Sequence, residues 1–158
     1  MESCPISVLR QLSLAVLLLL VSGCFPARYP TQNKPVCSWS SQPPDNADAL
    51  CSTVFRTLRT VVRAQVTGDD RTVRRLVTSR RVSGRIIAFG RILRANGARG
   101  VHIVPSITLA VVSLGRIGAG FYVLGKDRHG RIKKPETVYL RVREGRAVIV
   151  GDQPRQEW

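Results

Sequence analysis

Apolar positions change rhythm several times along this chain. Leu12 to Val21 is an almost unbroken apolar run, and no period is detectable between Phe25 and Ala49. From Ala49 to Val66 a helical rhythm begins: Phe55, Leu58, Val62 and Val66 recur on one side, Arg56, Arg59 and Arg63 on another. Gly68 is a usual residue for ending such a helix. Asp69 and Asp70 then supply an N-cap for a short second helix with Val73, Leu76 and Val77 as its stripe. Ser83 is placed to cap a third helix carrying Ile86, Phe89 and Leu93 and ending at Asn96-Gly97, although Ile86 to Phe89 also fits a strand.

After Gly100 the period becomes two. Ile107 to Leu114 is near-continuously apolar, and Ile117, Ala119, Phe121 and Val123 alternate with Arg116, Gly118, Gly120 and Tyr122. Gly125 to Pro135 is rich in turn residues around Asp127, His129 and Gly130, which predicts a polar hairpin connection. Val138, Leu140 and Val142 alternate with Tyr139, Arg141 and Arg143. Glu144-Gly145 makes a tight turn, and Ala147 to Val150 forms a last strand. Short links between strands imply antiparallel pairing. Helices followed by such a sheet imply an α+β domain, two or three helices packed on one face of a curved antiparallel sheet.

The early apolar run is shorter than the roughly 20 residues of a spanning helix and has the length of a signal-peptide core. It ends in Val21-Ser22-Gly23-Cys24, which resembles the bacterial lipoprotein signal. That resemblance implies cleavage before Cys24, acylation of its thiol, and a domain held at the cell membrane facing the periplasm or the exterior. A plain signal peptide with an incidental cysteine is the alternative. Residues 24–47 contain Pro26, Pro30, Pro35, Pro43 and Pro44 among Ser, Gln and Asn. Proline fixes φ and removes a donor, so no helix or central strand is expected there, and the segment reads as a disordered tether. The chain thus divides into a signal peptide (1–23), the tether (24–47), the α+β domain (48–152) and a short tail (153–158).

Of the four cysteines, Cys4 lies in the removed segment and Cys24 is the lipidation candidate. Cys37 and Cys51 remain as a pair in an oxidising compartment, which makes them a disulfide candidate. With no nearby His, two Cys do not complete a zinc site, and no metal or cofactor is expected.

The order of one long helix, two shorter ones and then an antiparallel sheet resembles the nuclear transport factor 2-like superfamily. Its last hairpin is similar to the pattern from Val138 to Val150. The resemblance covers about residues 48–152 and implies a cone with a pocket between sheet and helices. Enzymes of that superfamily place an Asp, Glu or His in the cone. Here the candidates for such a pocket are His102, Glu136, Tyr122 and Tyr139, but no catalytic motif transfers. No Gly-x-Ser-x-Gly occurs, and Gly118-x-Gly120 precedes no helix, so it reads as a bend in a curved sheet.

Charge is the remaining signal. The chain carries 25 Lys+Arg against 10 Asp+Glu, a net charge of +15. Lys126, Arg128, Arg131, Lys133 and Lys134 cluster in the predicted hairpin and are candidates for binding a polyanion. Few aromatic residues are free for base stacking, and the expected location lies outside the cytoplasm, so nucleic acid is not an expected partner. Anionic lipid, a cell-wall polymer or an envelope protein are the partners left, with a merely solvated basic surface as the alternative. The leading expectation is a non-catalytic, lipid-anchored binding or scaffold module. An isomerase- or cyclase-like enzyme using the pocket is the competing one.

Overall fold

Apolar residues three and four positions apart build the first helix, α1 (Ala47–Thr67), which buries Leu50, Val54, Leu58, Val61 and Val62. The structure is a computed structural model and describes residues 34–113 and 115–152. The expected signal peptide, Cys24, the first part of the tether (24–33) and the tail lie outside the described residues. Gly68 closes α1 in the left-handed conformation (φ 81°), which a residue without Cβ adopts at no steric cost. Asp69 alone caps α2 (Asp70–Leu76), accepting the Thr72 amide at 3.0 Å, while Asp70 is already the first helical residue. The Thr72 hydroxyl and amide, in that order, hold the Asp69 carboxyl below its ordinary range, with help from Arg75 and Arg71.

Helix α3 (Arg80–Ala95) starts earlier than the Ser83 cap implies. Its cap is Ser79, whose hydroxyl accepts the Val82 amide at 3.4 Å. Val82 is buried and extends the apolar stripe back by one turn, so Ser83 lies inside the helix, buried, its hydroxyl donating to the Arg80 carbonyl. Residues 86–89 are helical, and the strand alternative falls. Helices α1 and α3 touch at Gly90, where a Cβ would stand 2.4 Å from the Gln65 carbonyl oxygen. Glycine is required there by close approach rather than by backbone angle.

The sheet has six strands: β1 (Val36–Trp39), β2 (Arg99–Ile103), β3 (Ser106–Ser113), β4 (Arg116–Asp127), β5 (Gly130–Arg143) and β6 (Arg146–Asp152). Its order is β1-β3-β4-β5-β6, with β2 also paired to β4. The α+β class holds, and three expectations about the sheet need correction. First, the sheet is mixed, because β1 runs parallel to β3. The three helices lie between these two strands in sequence, and such a crossover is what parallel neighbours require. Second, β1 arises within the expected tether. The seven residues between Pro35 and Pro43 leave room for a short edge strand, with Cys37 and Trp39 turned towards the core. Third, the expected loop from Gly125 to Pro135 is mostly strand. Pairing of β4 with β5 continues to Asp127↔Gly130, so only Arg128 and His129 turn. Pro135 is tolerated in β5 because β6 reaches only as far as Val138, which leaves that edge of β5 free of a ladder partner from β6 at Pro135.

The core lies between the helices and one face of this sheet. Val54 and Leu58 meet Ile107, Leu109, Leu140 and Ile149, all essentially fully buried. A disulfide joins Cys37 of β1 to Cys51 in the first turns of α1, tying the sheet edge to the helical layer.

Candidate binding site

Strand parity decides which side chains can meet. In β4 the residues Ile117, Ala119, Phe121 and Val123 are buried and face the helices, so the even-numbered positions of that strand face the other way. Residues directly opposite in the ladder share a face. Phe121↔Glu136 and Val123↔Lys134 therefore put Glu136 and Lys134 on the helix side, while Tyr122↔Pro135, Leu124↔Lys133 and Lys126↔Arg131 lie on the outer side.

On the helix side a cavity of about 410 Å³ opens between α1, α3 and strands β4 to β6. Its walls are apolar: Leu58, Val61 and Val62 from α1, Phe89 and Ile92 from α3, Phe121, Val123 and Val138 from the sheet. Ile92 is 55% exposed, which marks an open apolar mouth. The charged groups lining the cavity form two opposite pairs. Lys134 binds Glu136, and Arg85 binds Asp152. The Lys134 ammonium also sits 3.9 Å from the centre of the Phe89 ring, a cation–π contact. The site can enclose an apolar body of modest size and meet a polar end at its rim.

Of the four residues expected in the pocket, only Glu136 lines it. Tyr122 and Tyr139 are on the opposite face of the sheet. Tyr139 packs across the positions of Gly118 and Gly151, and Tyr122 is 46% exposed. His102 is exposed beside Leu124 on that same outer face, its Nδ1 2.7 Å from the Gly100 carbonyl oxygen. The period-two rule separates these residues from Glu136, because Tyr122 neighbours Phe121 in sequence and must point away from it. Arg85, Phe89, Ile92 and Asp152 were missing from the expected site. Arg85, Phe89 and Ile92 stand at steps of four and three on α3, a spacing that places them on one side of the helix.

The hairpin cations are also divided. Lys134 is inside and paired. Lys126, Arg131 and Lys133 are outside, with Lys133 5.5 Å from the centre of the Tyr122 ring. Arg128 lies in the turn, its Nε donating to His129 Nε2 at 3.0 Å. Among the described residues no group of three or more His, Cys, Asp or Glu is placed to hold a metal ion, and no helix is long and apolar enough to cross a membrane. The chain matches no model of a known protein family, and no curated protein is significantly similar to it.

Proposed function

We propose that this protein is a lipid-anchored extracytoplasmic binding module that holds a small, largely apolar molecule between its helices and its sheet, in the manner of a cone-shaped domain of the nuclear transport factor 2-like kind. The observation that carries the reading is the apolar cavity whose charged groups are already matched with one another. A binding pocket is served by that arrangement. Apolar walls supply affinity through burial, and paired rim charges orient a polar end without leaving a desolvated ion. The anchor is supported by Val21-Ser22-Gly23-Cys24 at the end of the apolar run.

Nile red, a neutral apolar dye, tests the pocket. The full chain should bind it, and Ala88→Trp, which projects an indole from an exposed position of α3 into the cavity mouth, should weaken binding at least about tenfold. A thermal midpoint kept within a few degrees shows that the variant is folded. Equal affinity in both proteins, or no binding by either, overturns the pocket reading. For the anchor, Cys24→Ser should move the protein out of the membrane fraction or leave it unprocessed, and unchanged mass and fractionation refute acylation.

Proton-transfer catalysis has one observation in its favour, the Glu136 carboxylate on the cavity wall. Its pairing with Lys134 instead serves orientation. Binding therefore predicts that Glu136→Gln leaves Nile red affinity within about threefold, whereas a general base would be inactivated by the same change.

A further inference from the structure

The outer face of the sheet, which no helix among the described residues covers, carries a charge pattern that the pocket does not use. Lys126 stands directly opposite Arg131 on one side and Arg99 on the other. Towards the far end of the same strand Arg116 stands opposite Arg141, and on the next pair of strands Arg143 faces Arg146. Lys133 adds a further cation beside Tyr122. All of these side chains are exposed. The carboxylates of the described strands are on the other side: Glu136 is opposite Phe121, Asp152 opposite Val138, and Asp127 shares the parity of Phe121. None of the ion pairs among the described residues lies on the outer face.

Like charges directly opposite in a ladder destabilise a sheet. Three such groups on one face, with no carboxylate at the strand positions between them and only Glu144 in the turn from Arg143 to Arg146, are a cost that an anionic partner removes. The partner must be broad, since Arg116 and Lys126 are ten residues apart on one strand, about 33 Å. Between the two ends lie Tyr122, Leu124 and Tyr139, amphipathic and apolar side chains of the kind that settle at the headgroup level of a bilayer. We propose that this outer face docks on an anionic phospholipid surface. One further argument rests on the anchor reading: the eleven residues from Phe25 to Pro35 extend over at most about 40 Å, so an acylated Cys24 keeps the face within reach of the bilayer. Charge and aromatic pattern stand without it.

The test uses the full chain carrying Cys24→Ser, so that no acyl chain contributes, and vesicles of phosphatidylcholine with or without phosphatidylglycerol. The apolar run of residues 12–21 partitions into both, so the readout is the ratio of the two affinities. The expected ratio favours phosphatidylglycerol and collapses with added salt. In Arg116→Glu/Arg131→Glu/Arg146→Glu each of the three groups gains an opposite pair, and only Lys126 and Arg99 remain a like pair. The ratio should fall at least on the order of a hundredfold, at about fivefold for each arginine lost, while the thermal midpoint stays level or rises. Arg59→Glu/Arg74→Glu/Arg81→Glu changes the net charge equally on exposed helical positions and should alter the ratio no more than about threefold. An equal loss in both triple variants assigns the effect to net charge and overturns the proposal. So does a wild-type ratio near one. Polyphosphate bound as tightly as the vesicles, with Tyr122→Ala affecting neither, replaces the bilayer by a soluble polyanion and overturns it as well. Loss of the anchor alone is read by fractionation of the cysteine variant and leaves these ratios unaffected.

Discussion

Leu140 and Arg141 are neighbours on β5, yet they belong to two different molecules in all but covalent structure. Leu140 is completely buried under the helices, and Arg141 is exposed beside Arg116. The same division runs along the whole sheet. Around the cavity on the helix side the charges are matched, Lys134 with Glu136 and Arg85 with Asp152. On the outer side cations meet cations. The contrast teaches that the chain's excess of positive charge is not spread as a uniform solubilising coat. Strand alternation sorts it, so that the covered face keeps neutral pairs around a pocket while the bare face keeps an unneutralised field. Structure and stability should therefore respond to changes on one face, and ionic association to changes on the other.

Adjacent substitutions give that contrast its largest test. Leu140→Ala removes methyl groups from the contact with Ile149 and the helical layer, and should cost about 2–5 kcal/mol. Arg141→Ala, one residue further, should stay within about 0.5 kcal/mol. Urea unfolding with a common slope measures both. Similar losses in the two variants would mean that the outer face is packed against something and that the division between faces fails.

Next in size is the covered face's covalent tie. Cys37 and Cys51 are 14 residues apart, and closing that loop restricts the unfolded chain by about 3 kcal/mol in the loop-entropy account. Cys37→Ala/Cys51→Ala should lower unfolding free energy by that order. It should leave the phosphatidylglycerol preference unchanged at temperatures where the protein remains folded, because the tie lies on the helix side. A variant as stable as the parent, or one that loses vesicle preference while folded, would show that the two faces are not independent.

How far this division could be read from the residues depends on the range of the information needed. Helix α1 was legible because Phe55, Leu58 and Val62 repeat locally and Gly68 supplies the required left-handed stop. The pairing partners of β1 were not, since a parallel edge strand depends on a crossover through three helices. Glu136 was recognisable as an inward candidate near the start of its strand, but Asp152 reaches the same rim only through the β5–β6 register, which shifts between Tyr139 and Leu140. The alternation of Arg141 and Arg143 with Leu140 and Val142 was visible and carried the outer face in miniature. The denser run of basic residues in the hairpin points elsewhere, because density of charge in sequence is not proximity in space. Lys134 shows the difference: it stands next to Lys133 in the chain and across the sheet from it in the fold.

The smallest effect separates the faces by pH. Asp69, in the helical layer, has a carboxyl held below its ordinary range by the Thr72 hydroxyl and amide. A group with a depressed folded pKa stabilises the fold above its unfolded value of about 3.9, and that contribution disappears as pH falls through the lower folded value. Asp69→Asn keeps a capping oxygen without the charge. The variant should therefore be slightly less stable than the parent at neutral pH, and the two unfolding midpoints should converge in acid below the ordinary carboxylate range. Arg141→Ala provides the outer-face counterpart. Arginine does not titrate in this window and no carboxylate of the described strands shares its face, so the small difference between that variant and the parent should be the same in acid as at neutrality. A gap for Asp69→Asn that persists or widens in acid would show that the charge on Asp69 is not what strengthens the cap. A gap for Arg141→Ala that varies through the carboxylate range would place an acidic partner on the face described as lacking one.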